Sequence, residues 1–241
     1  MFLHHHSTIF PTPSSGRRKL SFIIYYLLFI ISATTIVSAC SEDDGEYDPY
    51  YDWEERNAAW YEQIADSAQT AIAQARTAYG DEWESHCEWR MFKSLLKSQT
   101  HQSGNVADSI CVHILSCGTG TVSPAYTDSV RVNYRGWLMP TTDANGTTFE
   151  TIFTQTYYGT FDPATAAPNL APPSTYNDGM ATALQYMVEG DEWMVYIPQQ
   201  LFYGAEEKGE VRAYSTVRMR LHMAAVYPAG TTVPKWKYPR K

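Results

Sequence analysis

The side chains that most readily signal chemistry are thinly spread in this chain. Cys87, Cys111 and Cys117 show no C-x-x-C spacing, so no zinc site is expected, and three thiols form at most one intramolecular disulfide. Of the seven His, three precede residue 40, and each of the others is expected to be a satisfied surface or core histidine. The formal charge is -8, from 18 Lys and Arg against 26 Asp and Glu, and no basic cluster follows the first 20 residues; nucleic acid is therefore excluded as a partner. What stands out is aromatic: 18 Tyr and 7 Trp, which suit an extracytoplasmic binding surface and serve equally in an ordinary core.

The elements able to position such groups centre on Asp178 to Gly204, DGMATALQYMVEGDEWMVYIPQQLFYG. Ala181, Leu184, Met187 and Val188 recur at helical spacing, and Gly190 is placed to cap a short helix in the left-handed conformation. Trp193, Val195 and Ile197 then alternate with Met194 and Tyr196 as a strand, until Pro198 stops ladder pairing and Tyr203-Gly204 turns the chain. A helix and a strand joined so tightly must pack on each other.

The 241 residues, 44% of them apolar, are enough for one sizeable domain with an appendage. Arg17, Arg18 and Lys19 precede an apolar run ending in small residues, the layout of a secretory signal over 1–39. Val37-Ser38-Ala39-Cys40 resembles the lipobox of bacterial lipoproteins, which makes Cys40 the lipid-bearing residue after cleavage; the other reading is an uncleaved anchor helix, and both put the remaining chain outside the cytoplasm. Eight carboxylates between Glu42 and Glu55 make 40–52 an extended acidic linker, which also resembles a surface-export signal of some Gram-negative lineages.

A helical segment is expected over 53–100. Trp53, Trp60, Ile64, Ala68, Ile72, Ala75 and Tyr79 share one face of a long helix ended by Gly80, and Trp83, Cys87, Met91 and Leu95 predict a second helix. The apolar stripe needs cover, either from the same chain's following domain or from the paired helices of a homodimer. From Ile110 the pattern becomes strand and turn: CVHILSCGTGTVSP, DSVRVNYRGWLM, a turn at Asn145-Gly146 returning through Phe149, a Pro- and Ala-rich loop that is no interior strand, and STVRMRLHMAAVYP with Val217, Met219, Leu221 and Met223 on one face. One helix across an antiparallel sheet is α+β architecture.

Taken in order, the Gly-Thr-Gly turn, VRVNYRGWL, Phe149-Glu150, Gly179 opening the helix, MVEGDEWMVYIPQQLFYG and the closing STVRMRLHM strand resemble FKBP-type peptidyl-prolyl isomerases from about Ile110 to Tyr227. The resemblance implies a curved antiparallel sheet wrapped on one short helix over 108–228, followed by a tail at 229–241. It further implies that Tyr134, Phe149, Glu150 and Tyr203 are the catalytic residues and that Tyr176, Asn177, Met180, Ile197, Val211 and Met219 bind substrate. Neither a cofactor nor a metal is implied. Partners would be proline-containing polypeptides, with a membrane reached through the lipid on Cys40 and a homodimer through the N-terminal helices. Several positions depart from the family: Met180 stands for the usual Trp floor, Tyr176-Asn177 for Val-Ile, Met219 for Phe and Glu150 for Asp. An isomerase assisting the folding of extracytoplasmic proteins is the first reading, and a chaperone or peptide-binding module with weak turnover is the second.

Overall fold

The computed structural model describes residues 47–97 and 105–238. The signal sequence, the lipobox with Cys40 and the first part of the acidic linker lie outside these residues. Helix α1 (Trp53–Tyr79) leads through a 3-10 turn, Gly80–His86, into strand β1 (Trp89–Lys93). There follow β2 (Ser109–Ser116), β3 (Ser129–Leu138), β4 (Thr141–Thr142), β5 (Thr148–Phe149), β6 (Ile152–Gln155) and β7 (Asn169–Ala171). Helix α2 (Asp178–Tyr186), β8 (Glu192–Ile197) and β9 (Val217–Tyr227) complete the fold. Seven strands form one antiparallel sheet in the order β1-β2-β8-β9-β3-β6, with β7 also pairing β3, while β4 and β5 make a separate hairpin. This is the α+β architecture expected from the sequence.

The sheet separates two packing layers because alternate residues of a strand face opposite sides. Ile110 and Val112 of β2, Val195 and Ile197 of β8, Val217 to Met223 of β9 and Val130 and Val132 of β3 bury one face against Met180, Ala183, Leu184 and Met187 at α2. Each large side chain removed from water there contributes about 1.5–3 kcal/mol. Cys111 and Tyr196 point the other way, onto Tyr61, Ala65 and Ala68 of α1. The long helix thus docks on its own chain's sheet, opposite α2.

The face used by α1 overlaps the expected one at Trp53, Ala68 and Ala75 but is shifted around the helix. Its buried residues are Trp53, Asn57, Tyr61, Ala65, Ala68 and Ala75, whereas Trp60, Ile64 and Ile72 flank the contact half-buried and Tyr79 is exposed and stacked on His86. Small alanines let the helix backbone approach the sheet, and the larger apolar residues close the sides. Gly80 does end the helix, at φ 57°.

The second helix expected through Trp83, Cys87, Met91 and Leu95 does not form among the described residues, Trp83 lying in the 3-10 turn. The stretch around Met91 is β1, paired in register with β2 from Trp89 opposite His113 to Lys93 opposite Ser109. Backbone groups that a helix would have satisfied internally are taken up by this ladder, and the Arg90 guanidinium donates to the carbonyls of Glu84, Cys87 and Trp89. Gly190 is also reassigned. Helix α2 ends at Tyr186, with Met187 already extended at φ -76° and ψ 151°, and Gly190 (φ 93°) instead turns the chain into β8. Asp191 fastens that turn, its carboxylate accepting from Gly118 N at 2.7 Å and Val188 N at 2.8 Å.

Candidate functional site

Helix α2 starts where the sheet leaves a hollow. Asn177 is its N-cap, the side-chain oxygen accepting from Met180 N at 3.0 Å, which gives this departure from the family pattern a local purpose. Gly179 is needed beside it: a Cβ there would lie 2.2 Å from Ile197 Cγ2. The close approach lets Met180 face a cavity of about 250 Å3. Tyr134 of β3 and Met219 of β9 contribute to the lining, as do Phe153 and Thr154 of β6, Tyr176 and Asn177 before the helix, and Phe202 and Tyr203 after β8. Lys208, Gly209, Glu210 and Val211 close it from the loop that precedes β9.

The walls are largely aromatic and packed edge to face. Tyr134 and Tyr176 have ring centroids 6.4 Å apart at 81°, and Phe153 and Phe202 5.7 Å apart at 70°. Phe202 also leans on Tyr203, with centroids at 4.3 Å, while the Lys208 ammonium sits 5.0 Å from the Tyr203 ring centroid. The Tyr176 hydroxyl accepts from Asn169 Nδ2 at 2.7 Å, and burial raises its pKa, so it stays protonated and neutral. Met180, Val211 and Met219 are buried apolar surfaces.

The structure brings together Tyr134, Tyr176, Asn177, Met180, Tyr203, Val211 and Met219 from the sequence-derived set. Three members lie elsewhere. Ile197 is fully buried beneath Gly179 and supports the floor from below rather than lining it. Phe149 is exposed and pairs with Thr141 in the β4-β5 hairpin, and Glu150 forms an ion pair with Arg218 at 2.7 Å. Their expected places are taken by Phe153 and Thr154, four residues later. The signal for the later pair was Gly136. A Cβ on this strand glycine would stand 2.6 Å from Phe153 Cζ, so the missing side chain makes the slot in which the Phe153 ring lies. Sequence reasoning also missed Phe202, Lys208, Gly209 and Glu210.

Glu210 is the one carboxylate among the lining residues and Lys208 the one ammonium; the other polar side chains are the hydroxyls of Tyr134, Tyr176, Tyr203 and Thr154 and the amide of Asn177. Such a lining has no nucleophile paired with a base. It can desolvate an apolar, ring-shaped group and offer hydroxyl donors to a carbonyl at its edge. Among the described residues, no three His, Cys, Asp or Glu side chains are grouped to hold a metal. A larger cleft of about 700 Å3 opens between α1, β1 and β2, lined by Ala71, Ala75 and Ala78 together with polar side chains that include His86, Cys87, Glu88, His113 and Cys117. We place the site in the smaller cavity because aromatic walls and hydroxyls converge there.

Residues 120–219 match the family model described as FKBP-type peptidyl-prolyl cis-trans isomerase. The peptidyl-prolyl cis-trans isomerase Mip of Coxiella burnetii (strain RSA 493 / Nine Mile phase I) is 32% identical over 101 residues, which are 42% of this chain and 37% of that protein. The chain thus spans well under half the length of this curated relative. A crystal structure of a peptidyl-prolyl cis-trans isomerase from Pseudomonas syringae pv. tomato is 22% identical, with a TM-score of 0.40, 69% of this chain and 95% of that one being covered. The three FKBP domains of wheat FKBP73 are 20% identical at a TM-score of 0.40, with 52% and 48% covered.

Proposed function

We propose that the chain is a peptidyl-prolyl cis-trans isomerase acting on proline-containing polypeptides outside the cytoplasm. The observation that carries this is the aromatic cavity, which joins a methionine floor to a phenol at its rim. Rotation about an X-Pro amide is opposed by about 18–20 kcal/mol of lost resonance, and no bond to a nucleophile has to form. The twisted amide has less charge separation than the planar one and so gives up water more readily. An apolar cavity therefore favours it over the ground state, which is catalysis by differential binding. Tyr134 and Phe153 hold the prolyl ring against Met180, and the Tyr203 hydroxyl donates to the substrate carbonyl. A protease-coupled assay on a proline peptide tests this. A wild-type rate above background that falls on Tyr203→Phe supports the reading; a rate equal to background rejects turnover.

Met180 favours a second reading. A flexible thioether in place of a rigid aromatic floor suits a peptide-binding or chaperone module with little turnover. Met180→Trp discriminates, since it raises the rate if the floor alone limits catalysis. An inactive protein that still suppresses aggregation of an unfolded client supports the chaperone.

The same proposal anchors the chain through lipid on Cys40, with the acidic linker as spacer. Cys40→Ser should release it from the membrane fraction, and retention would contradict the anchor. Because the buried stripe of α1 is occupied by its own sheet, this reading takes a monomer in preference to a homodimer paired through α1. Light scattering on the chain starting after Cys40 decides that point, a dimeric mass overturning it.

A further inference from the structure

The loop that closes the cavity, Lys208 to Thr216, is gripped at its far end by the start of α1. Trp53 Nε1 donates to Ser215 Oγ at 3.0 Å, and Ser215 Oγ in turn donates to the carbonyl of Arg212 at 2.8 Å. Thr216 N donates to Asn57 Oδ1 at 2.9 Å and Thr216 Oγ1 to the Asn57 carbonyl at 3.2 Å. Asn57 is fully buried, and its Nδ2 is held by the Trp53 carbonyl at 2.7 Å, so the amide is oriented before it meets the loop. Tyr50 completes the grip: its ring lies 4.1 Å from the Arg212 guanidinium carbon and 5.2 Å from the Trp53 ring.

The gripped segment is one that would not hold its shape unaided. Gly209 (φ 60°) turns the part that lines the cavity, where Lys208 N and Val211 O pair at 2.9 Å. Tyr214 adopts φ 61°, a left-handed conformation that a non-glycine residue keeps only when its surroundings impose it. Through Tyr214 N, which donates to the Gly204 carbonyl at 2.6 Å, the loop also fixes the residue that follows Tyr203. Two parts of the cavity, Val211 with Lys208 and the Tyr203 phenol, therefore share one anchorage.

We propose that Trp53 and Asn57 are positioning residues for the cavity, and that helix α1 sets the geometry of the substrate wall through Ser215 and Thr216. Asn57, a lone polar residue in an apolar stripe, is there to bond the loop rather than to pack. This inference rests on the isomerase reading for its catalytic consequence, but the anchorage itself is measurable without turnover.

The test uses Asn57→Ala and Trp53→Phe, the latter keeping an aromatic ring while removing the indole N–H. Tyr61→Phe serves as the control, because it loses a different α1 hydrogen bond, that of the Tyr61 hydroxyl to the Ser109 carbonyl. Hydrogen exchange of the amides in 208–216 should accelerate at least tenfold in both loop variants, with β3 and β8 unchanged, and kcat/KM should fall about tenfold. Tyr61→Phe should change neither. If Asn57→Ala fails to fold, Trp53→Phe alone decides. Unchanged exchange in the loop, equal effects from Tyr61→Phe, or faster exchange with kcat/KM unaltered would each overturn the proposal. A wild type without turnover would reject the isomerase reading instead, and loop exchange would still decide the anchorage.

Discussion

Phe153 lies over Gly136, its Cζ so close that a Cβ on the glycine would stand 2.6 Å away. The pair joins β6 to β3 beside a register shift between Gly136 and Trp137 and turns the Phe153 ring into the cavity. Gly136→Ala should push that ring aside. We expect kcat/KM to fall about tenfold, a change of about 1.4 kcal/mol, with thermal stability lowered by an amount typical of core overpacking, about 1–3 kcal/mol. Steady-state kinetics beside a melting curve checks this.

Asp191 and Gly118 form a second tight crossing. A Cβ on Gly118 would meet Glu189 O at 2.3 Å and Asp191 N at 2.5 Å, both backbone atoms with little room to yield. Gly118→Ala should therefore destabilise the fold. Asp191→Ala would leave the N–H groups of Gly118 and Val188 without their carboxylate and cost about 1–3 kcal/mol. Urea unfolding midpoints of the two variants measure both effects.

The three described thiols should react in a fixed order. Cys117 is exposed, Cys87 is half-buried, and Cys111 is buried beside the Tyr61 hydroxyl, where desolvation pushes its pKa to about 11. Alkylation followed by mass spectrometry should label Cys117 first, then Cys87, and Cys111 only after unfolding. Early labelling of Cys111 would mean that α1 leaves the sheet in solution.

His222 predicts a loss of stability in acid. It lies half-buried on β9 against Phe161, with Glu192 and Arg220 nearby, and burial depresses its pKa below 6.5. Below that value the unfolded chain takes up the proton before the folded one does. The contribution from His222 is therefore fully present above pH 6.5 and lost as the pH falls towards the folded-state pKa. Urea titrations across this range should show wild-type stability declining on acidification and His222→Asn declining less.

Much of this fold was legible because its alternation is strong. Val130 and Val132, Trp193, Val195 and Ile197, and Val217 to Met223 each repeat every second residue and all face the core. The end of α1 at Gly80 was equally plain. Strand β1 was misread because Trp83, Cys87, Met91 and Leu95 are spaced by four, a period that puts residues on one side of a strand as well as of a helix. Pairing with β2, an event outside the segment, decides between them. The cavity was read in part for a similar reason. Phe149 and Phe153 are both followed by a polar residue, and only the distant Gly136 distinguishes them. Asn57 carried no signal at all, since its partner is in a loop more than 150 residues away.

That distinction also gives the most direct measurement of the central claim, that the cavity beside α2 is where an X-Pro bond turns. Phe153→Ala and Phe149→Ala remove the same atoms from positions four residues apart, one on the cavity wall and one on an exposed hairpin. Catalysed isomerisation of a proline peptide should fall at least tenfold for Phe153→Ala and stay near wild type for Phe149→Ala. The reverse pattern, or equal rates for the two variants, would contradict the account.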